Sequence, residues 1–251
     1  MKPCFIDGHC HIDIYSDKEI NQIIKDSRKK DVGIIINNGL TPKVNLRTLE
    51  LSKKYPEIKA TLGIYPNECI EMSNEEIEKE IYFIKENKNK IIGIGEVGID
   101  LYETKELFRQ EIIFKKFIEL SKEIKKPLIV HSRKAEEKVI EILEKQNAEK
   151  VIMHCFSGNF KLVQRIIRNK WILSIPTNVT FSEHFQKVIK ISPAGQLLCE
   201  TDSPFLHPEK GKRNNTPVNV IESYKKIAEI KELTLEEVKN IIFNNYLRIF
   251  S

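Results

Sequence analysis

The sequence predicts an α/β protein, a single (β/α)8 barrel of the TIM type, and three observations lead there. A length of 251 residues is the size at which eight strand-helix units close within one domain. Short apolar, β-branched runs alternate with amphipathic helical patterns from one end of the chain to the other. No GxGxxG follows the first run, which disfavours the nearest alternative, an open doubly wound sheet that binds a dinucleotide. One domain over residues 1–251 is therefore expected.

The strand runs are PCFID, VGIIINN, IKATLGI, IIGIGEV, PLIVHS, KVIMHC, WILSI and QLLCET, eight in all. Runs this short and this apolar fit a parallel sheet covered by helices, and eight of them favour closure. The helices between them have readable starts. Ser16 with Glu19 and Ser73 with Glu76 have capping-box spacing, and Thr41-Pro42 gives an N-cap followed by proline at the first helical position. The longest helical pattern, from about residue 105 to 125, places Leu107, Phe114, Phe117, Ile118, Leu120 and Ile124 on one face near the 3.6-residue period. That spacing marks core rather than a cofactor box. After the eighth run a polar loop from Ser203 to Asn215 leads to Thr216-Pro217 and two closing helices, the second opening with Thr234 and Glu237.

Composition narrows the class. With 41% hydrophobic and 31% charged residues the chain can build a sizeable core and is neither disordered nor fibrous. No stretch reaches the ~20 apolar residues of a membrane span, and the start MKPCFIDGHCH lacks a signal peptide's apolar region. A cytoplasmic protein without a membrane association is expected. Cys4, Cys10, Cys69, Cys155 and Cys199 are scattered and never spaced CxxC, so they read as free thiols. The net charge of +5 suits a polyanionic substrate, although lysine is abundant throughout.

Chemistry concentrates at the ends of the strand runs. The first ends in Asp7-Gly8-His9-Cys10-His11, where alternation along an extended segment sends His9 and His11 to the same side and Cys10 to the other. Glu96 closes IIGIGEV, His131 closes PLIVH, His154 closes KVIMH and Asp202 follows LLCET. In a barrel those ends share one rim, where active sites of this fold are built. Isolated acids and imidazoles are costly to bury, so a common site explains this recurrence better than separate structural roles.

Four imidazoles and two carboxylates exceed the needs of one four-coordinate ion, which predicts two divalent ions per subunit, Mg, Mn or Zn. The assignment is His9, His11 and Asp202 on one ion, His131 and His154 on the other, and Glu96 bridging both. Asp7 reads as a supporting partner of these ligands. Arg133 follows on the same rim and offers a fork of donors for an anionic substrate, its bland alternative being an ion pair to Glu136 or Glu137. His184 and His207 fall off the strand-end register and read as solvated.

These segments together resemble the TatD family of metal-dependent hydrolases, within the amidohydrolase-like barrels. The resemblance rests on FIDGHCHID, GIGEVGID, PLIVHSR, VIMHCFSG, LLCETDSP and the tail GKRNNTPVNV with NNYLRIF, and so covers nearly the whole chain. It implies the ligand set His9, His11, Glu96, His131, His154 and Asp202, with Asp202 and the bridging Glu96 as catalytic carboxylates. It also implies a metal-dependent deoxyribonuclease of 3′ to 5′ exonuclease type, with DNA or another nucleic acid as substrate; no obligate protein partner is evident in the sequence. Two departures bear on substrate contacts. The family's GIHP is GIYP here, with Tyr65 in place of histidine, and its RNEP tail appears as Arg213-Asn214-Asn215-Thr216-Pro217 without the glutamate. Two other readings stand beside the nuclease: a barrel hydrolase of another bond, such as an ester, lactone or cyclic amide, and a metal-loaded binding protein without turnover. The intact ligand set speaks against the second.

Overall fold

A computed structural model describes residues 2–102 and 104–251. In chain order its elements begin with β1 (Phe5–Cys10), α1 (Asp17–Lys29), β2 (Val32–Asn38), α2 (Pro42–Lys54), β3 (Ile58–Leu62), α3 (Glu68–Glu71), α4 (Asn74–Glu86) and β4 (Gly93–Gly98). They continue with α5 (Leu107–Ile124), β5 (Leu128–His131), α6 (Glu136–Lys145), β6 (Val151–Met153), α7 (Phe160–Arg168), β7 (Ile172–Pro176), α8 (Glu183–Ile191), β8 (Leu197–Glu200), α9 (Ile221–Lys231) and α10 (Leu235–Phe250). Neighbouring strands pair in parallel in the order β1 to β8, the TIM barrel expected from the alternation.

The caps form as the sequence requires. Ser16 with Glu19, Ser73 with Glu76 and Thr234 with Glu237 each close a reciprocal capping box, and the Thr41 hydroxyl accepts from Val44 N–H. The Thr216-Pro217 pair behaves differently. It opens a 3-10 turn, Pro217–Val220, and the Thr216 side chain makes no cap bond. Asn215 braces the segment without capping it, its Oδ1 accepting from Thr216 N–H at 2.9 Å and from Asn219 Nδ2 at 2.9 Å. In α5 the buried face contains Phe114, Phe117, Ile118 and Leu120, while Leu107 and Ile124 are half-buried at its ends. Gln110 is also fully buried on that helix, a polar member that periodicity does not single out.

The sheet closes where β1 meets β8. Asp202 N–H donates to the His9 carbonyl at 2.9 Å, and His11 N–H donates to the Ser203 carbonyl at 2.8 Å. Behind them the buried Asp7 carboxylate accepts from Thr201 N–H at 2.8 Å and from the Thr201 hydroxyl at 2.6 Å. The strands approach so closely that a Cβ on Gly8 would stand 2.8 Å from the Cys199 carbonyl oxygen. A second close approach fixes β4 against β5: Gly98 has φ +144°, open only to glycine, and a side chain there would overlap the His131 carbonyl. Burial raises the Asp7 pKa well above the carboxylate range, against the opposing pull of its bonds from Thr201. Asp7 thus fastens the seam rather than touching a candidate ligand's ring.

Tyr224 of α9 packs behind the same seam. Fully buried, its ring meets Phe5 edge-on at 4.9 Å, and its hydroxyl both accepts from Ile6 N–H at 2.9 Å and donates to the Ile6 carbonyl at 3.2 Å. Tyr224→Phe should lower unfolding free energy by about 1–3 kcal/mol, because both backbone groups of a buried residue lose their partner. An unchanged urea midpoint would show that Ile6 finds partners without the hydroxyl.

Candidate metal centre

Six side chains converge at the C-terminal ends of the strands, five of them lining one cavity and the sixth, His9, fully buried beside them. Their supporting elements explain the convergence. His9 lies within β1 and His11 one residue beyond it, and their Nε2 atoms stand 3.3 Å apart, as the alternation on an extended segment requires. Cys10 points away, its thiol donating to the Ile36 carbonyl at 3.4 Å. His131 is the last residue of β5, and His154 follows the last residue of β6. Glu96 is not terminal: it lies inside β4, because the ladder to β5 is interrupted between Ile94 and Val97 and the strand runs on to Gly98. Asp202 follows β8 with φ +52°, a left-handed turn that aspartate tolerates and that accompanies the bond from its N–H to His9.

The donor atoms are spaced as a coordination shell. His9 Nε2 stands 3.3 Å from Glu96 Oε2 and 3.6 Å from Asp202 Oδ1, and His11 Nε2 stands 3.5 Å from each. These separations are long for charge-assisted hydrogen bonds. They match the edge of about 3.4 Å that a tetrahedron has when its four ligands lie about 2.1 Å from a cation. The other Glu96 oxygen, Oε1, faces His131 Nδ1 at 2.7 Å and His154 Nε2 at 3.9 Å. Among the described residues, His9–His11–Glu96, Glu96–His131–His154 and His9–His154–Asp202 each form a group able to hold a cation. The residues therefore fit metal binding, with Glu96 offering one oxygen to each side.

Electrostatics agree with that fit. Burial works against the charged form of His154, yet the neighbouring Glu200, Glu96 and Asp202 push its pKa up to about 10. His131 is raised in the same way: burial opposes, and bonds to Asp100 and Glu96 prevail. Burial raises Glu96 and Asp202, but the surrounding imidazoles outweigh it and hold both below the ordinary carboxylate range. His9 is lowered, chiefly by burial and then by the charge of His154. The carboxylates thus demand positive charge from whatever occupies the cluster, protons or cations.

Two participants were not singled out from sequence. Glu200 accepts from His154 Nδ1 at 2.9 Å, and Asp100 accepts from His131 Nε2 at 2.9 Å, so each imidazole has a carboxylate on the nitrogen away from its cavity neighbours. Both lie in the motifs LLCETD and GIGEVGID, and spacing alone does not show that they reach an imidazole. Arg133 pairs with Asp100 at 3.2 Å and lies over the Tyr102 ring at 4.1 Å. Glu136 accepts instead from Ser157, and Glu137 faces Arg165. The cavity measures about 600 Å³, and Tyr65, Arg133, Phe205 and Ile14 stand among its lining residues. Arg213 lies outside it on an exposed stretch of the loop after β8. His184 bonds the Phe156 carbonyl at 3.2 Å and His207 accepts from Glu209 N–H at 3.0 Å, so neither joins the cluster. Asn215, in the tail segment that lacks the family's glutamate, is fully buried and donates to Thr177 and to the Thr201 carbonyl.

A parallel barrel carrying an imidazole and carboxylate cluster at that rim defines a metal-dependent hydrolase. The model of the family described as TatD related DNase matches residues 6–251, and the chain belongs to this family. It is 40% identical over 247 residues to an uncharacterized metal-dependent hydrolase of Methanocaldococcus jannaschii, covering 98% of this chain and 96% of that one. It is 30% identical over 264 residues to the human deoxyribonuclease TATDN3, covering 98% and 94%. Among solved structures, the TatD homolog YJJV of Escherichia coli K12 superposes with a TM-score of 0.92 at 24% identity, covering 98% of this chain and 97% of that one.

Because their carboxylate neighbours raise the proton affinity of His131 and His154, loading with Zn or Mn should release protons. Apparent affinity should then fall as pH drops below about 10, the value to which His154 is pushed up. Calorimetric titration in two buffers of different ionisation enthalpy checks this, and equal heats in both would contradict it.

Proposed function

We propose that the chain binds two divalent ions and hydrolyses phosphodiester bonds of DNA from the 3′ end. The observation that carries the reading is Glu96, whose two oxygens face separate sets of imidazoles while Asp202 completes one set. In this assignment His9, His11, Asp202 and Glu96 hold one ion, and His131, His154 and Glu96 the other. When bound, such ions acidify the attacking water and polarise the phosphoryl group. Asp202, whose side chain is 16% exposed at the cavity, orients that water and accepts its proton. Arg133 on the wall supplies planar donors for phosphoryl oxygens. Tyr65 shapes the cavity wall, its hydroxyl directed to Asp100 at 2.7 Å.

The nucleic-acid substrate is supported by the family's description and by the name of the human relative. Lys210, Lys212 and Arg213, all exposed, add positive charge to the loop after β8, whose Phe205 and Leu206 line the cavity. Lys212 spends part of that charge on Glu209 at 2.6 Å. Among the described residues no helix is long and apolar enough to cross a membrane. All five cysteines are free thiols, which supports a cytoplasmic location.

Asp202→Asn should reduce turnover by at least roughly 100-fold, as loss of a general base does, while the fold and most metal binding persist. Near wild-type rates in a metal-replete assay would remove Asp202 from catalysis. With Mg or Mn, wild type should shorten single-stranded DNA from its 3′ end, and a chelator should stop it. Lys212→Glu and Arg213→Glu should weaken DNA cleavage and flatten its salt dependence while sparing a small uncharged ester. Ester hydrolysis without DNA cleavage under any of Mg, Mn or Zn would transfer the assignment to a different bond.

A further inference from the structure

The carboxylate of Asp100 is fully buried just beyond β4, four residues after Glu96, and four donors reach it. His131 Nε2 lies at 2.9 Å, the Tyr65 hydroxyl at 2.7 Å, Arg133 Nε at 3.2 Å and Tyr102 N–H at 2.8 Å. Its backbone is gripped as firmly. Gln110, buried on α5, accepts from Asp100 N–H at 2.7 Å and donates to the Asp100 carbonyl at 3.0 Å. A carboxylate kept out of water is tolerated when donors saturate it, and three of the four donors here belong to side chains that line the cavity. The His131 ring consequently lies between two carboxylates, Glu96 on Nδ1 and Asp100 on Nε2.

We propose that Asp100 is a positioning residue that orients the metal ligand His131 and the anion-binding Arg133 together. By holding Nε2 it leaves Nδ1 as the one ring nitrogen able to face Glu96. By holding Arg133 Nε it turns the rest of the guanidinium, stacked on Tyr102, along the cavity wall. Tyr65 supplies a neutral donor to the same carboxylate and so helps hold Asp100 in place. The network therefore ties metal affinity and substrate affinity to one side chain.

This inference rests on the two-ion reading, and the test separates the two. Calorimetry on wild type should give two ions per chain; a single ion would overturn the two-ion reading and leave the role of Asp100 to the measurements that follow. Asp100→Asn, which keeps shape, should weaken binding at the His131 side roughly 10- to 100-fold, the usual loss for a ligand's supporting partner, and should raise KM for DNA. Arg133→Ala should raise KM alone. In the metal-free protein, the 15N–1H signal of the His131 imidazole should lose its carboxylate-bonded character in Asp100→Asn. Tyr65→Phe, milder for folding, should shift the same signal by a smaller amount. Unchanged ion affinity, KM and imidazole signal in Asp100→Asn would overturn the proposal.

Discussion

The candidate metal centre depends on the contact between β1 and β8. His9 and His11 come from one side of that seam and Asp202 from the other, and the backbone bonds Asp202 to His9 and His11 to Ser203 are the same bonds that close the sheet. Closure and ligand placement are thus one event. Asp7 reinforces it from within by taking both donors of Thr201, and Gly8 lets the strands approach. From that anchor the remaining ligands follow the circuit of the barrel, since every parallel strand delivers its C-terminal end to the same rim.

The cluster gathers acids and imidazoles away from bulk water, an arrangement that is expensive unless charges balance. The balance has two layers. Glu96 and Asp202 face the cavity, while Glu200 and Asp100 stand behind His154 and His131. The rear carboxylates make their imidazoles more basic and fix which nitrogen faces inward. Tyr65 and Arg133 then join Asp100 at the wall, so that wall of the cavity is built from the partners of His131 rather than from independent residues.

The barrel was legible because its two signals are local: β-branched runs marked the strands, and capping boxes at Ser16, Ser73 and Thr234 marked helix starts. The six convergent residues were legible for a related reason, since each lies at or near a strand's end and the fold brings those ends together. What escaped were interactions between side chains far apart in sequence. Glu200 reaches His154 across 46 positions and Asp100 reaches His131 across 31, and neither spacing has a period that flags it. Asp7 drew attention by its neighbours, yet its partner proved to be Thr201, 194 positions away. Asn215, which no motif reading singled out, is a buried clamp on the β8 loop. Arg213 stands exposed on that loop, and a loop's charge pattern carries no period that says which of its cations faces a cavity.

The separation of Asp7 from Thr201 also orders events during synthesis. A chain emerging from its N-terminus presents His9 and His11 at once, but Asp202 appears only after about four-fifths of the 251 residues have been made. Until then the first strand has no eighth to lie against, and contacts of such sequence separation form late because the intervening loop must first be ordered. The nascent protein therefore carries a pair of exposed imidazoles without the carboxylate that completes their shell. The group His9–His154–Asp202 therefore comes together only when the barrel has closed.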